Sequence, residues 1–165
     1  MKRILIASFF LLLSGFCQAK LAVGDAAPIR LGKHSKTGEE VILPEYTGKI
    51  TVVHFWADWC DYCYKTLPAL EAMQEQLGQN NLQVISVAVK NTALAVNKIT
   101  NEMKNMLMVS SIDKTGKVMG SFGDEYMPNV WIIDRNGKIL AQTAIKDDED
   151  LKKAIRLVES ALRAK

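Results

Sequence analysis

Two cysteines, Cys60 and Cys63, stand three positions apart in the segment HFWADWCDYCYKTLP, directly after a strand-like apolar run. A thiolate attacks disulfides, and a second thiol one helical turn away can attack the mixed disulfide that forms on the first. A bond across so short a spacing closes a very small ring and therefore constrains the unfolded chain little. The spacing favours thiol–disulfide exchange over a structural cross-link.

The elements around the cysteines are predicted to place Cys60 where a strand ends and a helix begins. Residues 50–56, ITVVHFW, form a β-branched and aromatic run typical of a buried strand. Helical spacing follows, and Gly78 can end the helix. The residues with this spacing are Leu67, Leu70, Met73 and Leu77. Unpaired N–H groups and the helix dipole would then lower the pKa of the Cys60 thiol, and Cys63 would lie one turn further in.

The remaining pattern is that of an α/β protein. A second strand is expected at residues 82–89, followed by a helix that Asn91 or Thr92 can cap. The last part predicts a strand hairpin with Asn136-Gly137 at its tip and then a closing helix. Residues 20–50 are rich in turns and predict a hairpin-like N-terminal extension.

A metal site is the competing interpretation of the cysteine pair. Zinc usually takes four ligands from two separated Cys/His pairs, and the only histidines are His34 and His54. Their spacing to the cysteines matches no common zinc pattern. The sequence therefore predicts no metal, and exchange between sulfur atoms needs no cofactor.

The N-terminus has the layout of a secretory signal peptide. Two basic residues precede an apolar run at residues 4–16, and Cys17 and Ala19 supply small residues for a cleavage site. We predict a signal peptide at residues 1–19 and a single domain at residues 20–165, with an uncleaved N-terminal anchor as the alternative. Export implies an oxidising compartment, in which a cysteine pair is usually bonded.

Charge and composition point to no polyanionic partner. The formal charge of +3 falls to +1 once Lys2 and Arg3 are removed with the signal peptide. Basic residues form no stripe with interleaved aromatic residues, so nucleic-acid binding has no support. With 48% apolar residues and no low-complexity tract, the composition is that of an ordinary globular domain.

Two segments resemble the thioredoxin superfamily. FWADWCDYCYKTLP is similar to its active-site segment, in which W-C-x-x-C precedes a helix proline, here Pro68. EYMPNVWIIDRNGKIL resembles the segment in which the family carries a cis-proline before an antiparallel hairpin, a position that Pro128 fits. The N-terminal hairpin and the signal peptide look most like the exported TlpA-like branch, which contains periplasmic disulfide reductases of cytochrome c maturation.

The resemblance implies a thioredoxin-like fold, with a central mixed sheet flanked by helices and the N-terminal β-hairpin as an extension. It also implies roles for individual residues: Cys60 would attack and Cys63 would resolve. Trp59, Met127 and Pro128 would form the substrate-binding surface beside them. Ordinary core packing is the other interpretation of Trp59, and the two can hold together.

His54 and Asp61 are candidates for proton transfer or for tuning the thiol pKa values. His54 stands where thioredoxins carry a buried acid. A neutral ring could accept the Cys63 proton, a charged one would stabilise a thiolate, and a buried ring with no redox role is the third alternative. Asp61 lies between the cysteines, so its negative charge opposes thiolate formation on Cys60 and argues against a strong oxidant.

The leading hypothesis is a periplasmic, monomeric reductase of protein disulfides. The resemblance implies a membrane electron-relay protein as its reductant. A disulfide oxidase or isomerase is the second enzyme hypothesis, and a thioredoxin-fold binding or chaperone module is the alternative from a different class.

Overall fold

A computed structural model of the protein describes residues 20–103 and 105–164, so the predicted signal peptide at residues 1–19 lies outside the described residues. The described strands are β1 Arg30–His34, β2 Glu40–Ile42, β3 Ile50–Trp56, β4 Leu82–Val89, β5 Val109–Asp113, β6 Asn129–Ile133 and β7 Ile139–Ala144. They form one sheet in the order β2-β1-β5-β4-β3-β6-β7.

Four α-helices connect or flank the strands. They are α1 Cys63–Leu77, α2 Ala93–Glu102, α3 Lys117–Ser121 and α4 Asp148–Arg163, and a short 3-10 helix covers Leu43–Tyr46. The predicted helix ends are confirmed at two places. Thr92 caps α2 by accepting a hydrogen bond from Ala95 N at 3.2 Å, and Gly78 ends α1 with φ +71°. None of the described helices is long and apolar enough to cross a membrane.

The three central strands β3, β4 and β5 are parallel, whereas β1, β2, β6 and β7 pair antiparallel, which confirms the predicted mixed sheet. Every residue of β3 and β4 is buried, as expected of parallel strands covered on both faces. The carboxyl ends of the parallel strands meet at one edge of the sheet. The chain leaves β3 at this edge and enters the cysteine segment.

The predicted N-terminal hairpin is confirmed and is an integral part of the sheet, because β1 pairs with β5 through Lys33 and Ile112. Gly32 permits this close approach. It has φ +93°, and a Cβ atom there would lie 2.5 Å from Ser111 Oγ and 2.6 Å from the Ile112 carbonyl oxygen. The N-terminal hairpin of β1 and β2 is therefore held to β5 by a close backbone approach that only glycine fits.

Alternate residues of β3 enter two different cores, since successive side chains of a strand point to opposite faces. Val52 and Trp56 pack with Cys60, Cys63 and the apolar sides of α1 and α4. On the other face, Val53 and Phe55 pack with the N-terminal hairpin, α3 and Phe122. His54 lies between Val53 and Phe55 in the sequence and therefore shares the face of β3 that carries Val52 and Trp56.

Candidate active site

Cys60 and Cys63 are joined by a disulfide directly beyond the carboxyl end of β3, with their Cα atoms 5.4 Å apart. Cys60 is 9% exposed and Cys63 is fully buried. The sequence predicts Cys60 at the start of the helix. The helix α1 instead begins at Cys63, so Cys60 lies in the turn that precedes it. Cys60 is thus the less buried of the two cysteines, as one attacking and one resolving thiol would require.

Some backbone N–H groups around Cys60 donate hydrogen bonds within the turn, whereas the sequence predicts unpaired N–H groups there. Cys63 N donates to the Cys60 carbonyl oxygen at 3.0 Å, and Tyr64 N donates to the Asp61 carbonyl oxygen at 3.3 Å. The amides of Asp61 and Tyr62 have no acceptor among the described residues. These two N–H groups and the dipole of α1 are therefore the features that can stabilise a Cys60 thiolate.

The Met127–Pro128 peptide bond is cis, the geometry expected from the resemblance. Pro128 is buried and directly precedes β6, whose register pairs Asn129 with Phe55 and so brings Pro128 level with the end of β3. Met127 packs against the core that contains both cysteines. The fold therefore brings the proline segment and the cysteine pair together at one edge of the sheet, although 65 positions separate Cys63 from Pro128.

Trp59 is 64% exposed, so core packing is the wrong interpretation for this residue. It lines a cavity of about 290 Å³ together with Met127, Met119 and the acidic pair Asp124 and Glu125. An exposed indole that lines a partly apolar cavity and directly precedes Cys60 in the chain can contact a bound polypeptide.

His54 is completely buried. Its Nε2 lies 3.2 Å from Thr66 Oγ1, and the same hydroxyl donates to the Cys63 carbonyl oxygen at 3.0 Å. His54 Nδ1 has no partner among the described residues. Burial lowers the pKa of His54 to about 3, so the ring is neutral at pH 7. The ring is therefore uncharged beside the Cys60–Cys63 disulfide, and its effect on a thiolate in the reduced protein stays a prediction.

The two residues between the cysteines face different surroundings. Asp61 is exposed, and its effect on Cys60 remains a prediction. The Tyr62 hydroxyl donates a 2.5 Å hydrogen bond to Asp148 Oδ1 at the start of α4. This hydrogen bond is the main cause that raises the pKa of Tyr62 to about 12, and it lowers the pKa of the Asp148 carboxyl.

Three polar contacts that position the site were missed from the sequence. Thr66 joins His54 to the first turn of α1, Asp148 holds Tyr62, and Asn91 Oδ1 accepts from Asp58 N at 3.2 Å in the turn before Cys60. Only Thr66 had a local signal, since a residue three positions after Cys63 lies on the same side of the helix. The other two contacts join segments that are 33 and 86 residues apart.

The histidines do not assemble with the cysteines into a zinc site. His34 lies at the end of β1, where its Nδ1 accepts from Lys36 N at 3.2 Å, whereas His54 lies in β3. Within residues 20–103 and 105–164, no group of three or more His, Cys, Asp and Glu residues could hold a metal ion.

A buried strand that delivers a C-x-x-C pair to the head of a helix, with a cis-proline alongside, defines a thiol–disulfide oxidoreductase of the thioredoxin fold. Residues 23–142 match the AhpC/TSA family, and the chain belongs to that family. This membership and the relatives described next confirm the predicted fold and enzyme class.

Among similar proteins, the thiol-disulfide oxidoreductase ResA of Bacillus anthracis is 27% identical over 135 residues, 81% of this chain and 77% of the relative. ResA of Oceanobacillus iheyensis is 30% identical over 120 residues, 71% of this chain and 62% of the relative. The crystal structure of a candidate thiol:disulfide interchange protein DsbE from Chlorobium tepidum matches with a TM-score of 0.76 and 30% identity, and the match covers 87% of this chain and 99% of that one.

Proposed function

We propose that this protein is an exported thiol–disulfide oxidoreductase that reduces protein disulfides through a Cys60/Cys63 cycle. The observation that carries the proposal is the unequal burial of the two cysteines: Cys60 is 9% exposed, and Cys63 is fully buried at the head of α1. The similar thiol-disulfide oxidoreductase ResA and thiol:disulfide interchange protein DsbE support the same activity.

In the reduced protein, the Cys60 thiolate attacks one sulfur of a substrate disulfide and releases the other sulfur as a thiolate. Cys63 then gives its proton to the substrate thiolate released in the first step and attacks Cys60 Sγ, which breaks the mixed disulfide and releases the second substrate thiolate. Two electrons pass to the substrate, and the protein is left with the Cys60–Cys63 disulfide. In an oxidising compartment the next cycle needs an electron donor, for which we propose a membrane electron-relay protein.

His54 acts in this cycle as a positioning residue. A base whose pKa is about 3 is poorly suited to take a proton from a thiol whose ordinary pKa is about 8.5, since each pKa unit of mismatch costs roughly 1.4 kcal/mol. Its contact with Thr66 instead fixes the hydroxyl that binds the Cys63 carbonyl oxygen. The imidazole thereby orients the first turn of α1, on which the resolving cysteine lies.

Trp59, Met127 and Pro128 form the surface that receives the substrate. Met127 precedes the buried cis-proline, and Trp59 and Met127 line the same cavity beside the disulfide. Such a surface suits an extended polypeptide, because apolar side chains can enter the cavity while backbone groups next to the proline remain available for hydrogen bonds.

The direction of transfer is tested by the reduction potential of the Cys60–Cys63 pair, measured by equilibration with dithiothreitol and glutathione buffers. We expect a value near that of thioredoxin, roughly −270 mV, because Asp61 opposes strong stabilisation of the Cys60 thiolate. A value near roughly −120 mV would contradict the reductase and identify an oxidase.

The nature of the substrate is tested by trapping. A Cys63→Ser variant lacks the resolving thiol, so we expect it to retain protein substrates as mixed disulfides on Cys60. The matched control is the Cys60→Ser/Cys63→Ser variant, which has no attacking thiol and should retain none. Equal capture by both variants, or capture of small thiols alone, would count against protein substrates.

Export is tested by mass spectrometry of the protein from its native host. A mature N-terminus at Lys20 is expected if residues 1–19 act as a signal peptide. A chain that still begins at Met1 would show that the segment is not removed.

A further inference from the structure

A cavity of about 600 Å³ lies beyond the carboxyl ends of β4 and β5, between the head of α2 and the end of β1. Asn91 lines this cavity, and its Oδ1 accepts a hydrogen bond from Asp58 N at 3.2 Å, two positions before Cys60. The volume is in the range of cavities that bind ligands. The cavity therefore adjoins the turn that carries the attacking cysteine, although the proposed cycle makes no use of it.

The same cavity also adjoins the smaller one that Trp59 lines. Lys90 and Gly116 line the smaller cavity, and their sequence neighbours Asn91 and Lys117 line the larger one. The Lys90 side chain packs over Gly116, since a Cβ atom on this glycine would lie 3.0 Å from Lys90 Cε. A polypeptide bound at Trp59 therefore reaches the larger cavity by crossing a single lysine side chain.

The two cavities differ in charge. The Trp59 cavity carries charges of both signs, from Lys90, Asp124 and Glu125. Among the described residues that line the larger cavity are three exposed lysines: Lys33, Lys114 and Lys117. The acidic residue in this lining is Asp113, which is 3% exposed and whose Oδ2 accepts a backbone N–H at 3.0 Å. Positive charge is thus in excess in the larger cavity, which we call the lysine cavity.

Two further hydrogen-bond donors in the lysine cavity suit an anion. Ala93 begins α2, and its N–H group, which has no acceptor in the described part of the chain, lies at the positive end of the helix dipole. Ser35 is 6% exposed, and its Oγ atom has no partner among the described residues. A buried hydroxyl without a hydrogen bond is energetically unfavourable, so such a group is normally satisfied by water or by a bound species.

Apolar surface lies among these polar groups. Ile112 and Val118 line the lysine cavity and are half-buried, and the methylene groups of the lysine side chains add to the apolar surface. The guest that fits best therefore combines apolar side chains with negative charge. A polypeptide segment that contains both acidic and apolar residues has this combination, whereas an inorganic anion has only the charge.

We propose that the lysine cavity binds an acidic segment of the substrate polypeptide. This inference rests on the proposed function and names its substrate class, which is proteins whose disulfide is accompanied by nearby carboxylates. Cys60 lies beyond β3 and Lys114 beyond β5, and β4 separates these two strands in the sheet. Two strand spacings amount to roughly 10 Å, which an extended chain covers in about three residues.

The test measures how fast the purified protein, with Cys60 and Cys63 reduced, reacts with three peptides of equal length. Each peptide has one cysteine in a mixed disulfide with thionitrobenzoate, whose release is coloured. Glutamates, glutamines or lysines stand about three to five residues from the cysteine, before it in one set and after it in another. In one of the sets we expect the glutamate peptide to react at least about fivefold faster than the glutamine peptide at low ionic strength, and the lysine peptide to react most slowly.

A combined Lys33→Gln, Lys114→Gln and Lys117→Gln variant removes the positive charges and keeps much of the side-chain length. The ratio of the glutamate to the glutamine rate constant should fall toward one in this variant, because the partners of the carboxylates are lost. Circular dichroism checks folding. If the triple variant is unfolded, Lys114→Gln alone replaces it and should still lower the ratio.

The matched control combines Lys98→Gln, Lys138→Gln and Lys153→Gln, which removes the same charge from exposed lysines that do not line this cavity. The control should keep the ratio of the parent. The inference is overturned if the parent does not prefer the glutamate peptide in either set, or if the control loses the preference as fully as the cavity variant. Reaction with the glutamine peptide reports on the reductase cycle separately. Its failure would contradict the proposed function together with this inference, whereas a normal reaction without a preference for glutamate overturns this inference alone.

Discussion

The imidazole of His54 and the hydroxyl of Thr66 lie 3.2 Å apart in the buried layer that also holds Cys63, and the hydroxyl contacts the Cys63 carbonyl oxygen. A strand residue is thereby connected to the first turn of α1 through one side-chain oxygen. Since the hydroxyl donates its single proton to the carbonyl, it accepts from Nε2, and the unpaired Nδ1 carries the lone pair of the neutral ring.

The pH dependence of stability should reveal this buried neutral histidine. The unfolded chain binds a proton at His54 below about pH 6.5, whereas the native ring, with a pKa of about 3, does not. The contribution of His54 to native stability is therefore fully present above that pH and is lost as the pH falls toward 3. In a His54→Gln variant this contribution is absent, so the parent should lose roughly 2–3 kcal/mol more than the variant between pH 7 and pH 4.5.

Urea unfolding of both proteins at the two pH values measures this difference. The carboxylates titrate in both proteins and cancel in the comparison. Equal losses of unfolding free energy in the parent and the variant would mean that His54 is protonated in the native state.

The hydrogen bond between Tyr62 and Asp148 should control the ionisation of the tyrosine. In an Asp148→Asn variant the phenol loses its strongest acceptor, and the pKa of Tyr62 should fall from about 12 toward its ordinary value near 10. A ¹³C NMR titration of the tyrosine ring carbons resolves Tyr62 from the other three tyrosines. Glu149→Gln is the control, because Glu149 pairs with Lys152 and should leave the Tyr62 pKa unchanged. An unshifted Tyr62 in Asp148→Asn would show that the contact is absent in solution.

Trp59 should contribute to substrate binding and little to stability. Because 64% of its surface is exposed, Trp59→Ala should change the free energy of unfolding by no more than about 0.5 kcal/mol. The KM for a protein disulfide should rise several-fold. The rate of reaction with a small disulfide should not change. Leu94→Ala, at a still more exposed apolar residue of α2, should alter neither reaction. A large fall in stability, or equal effects on large and small substrates, would be inconsistent with a binding surface.

Gly32 should be far less replaceable than Gly38, although both have positive φ angles. A Cβ atom at Gly38 meets nothing within 4 Å, so Gly38→Ala should cost only the backbone strain of about 1 kcal/mol. At Gly32 the added atom meets the backbone of β5, and overpacking should add about 1–3 kcal/mol to the strain. Thermal unfolding of the two variants measures the difference. Similar melting temperatures would show that β1 can move away from β5 at little cost.

Local pattern was sufficient for the elements that carry the chemistry. The apolar run at residues 50–56 and the C-x-x-C that follows predicted β3 and the cysteine pair at its end, because burial and turn preferences act over a few residues. The cis-proline was expected from the type of the bond and from the family segment around Pro128.

Contacts between distant segments were decided only by the tertiary structure. The pairing of β1 with β5 and the bond from Tyr62 to Asp148 join residues about 80 positions apart, and no periodicity encodes such partners. The neutrality of His54 and the exposure of Trp59 are likewise consequences of packing. A histidine keeps or loses its charge according to the solvent and the groups around it, and the residue types alone do not specify those surroundings.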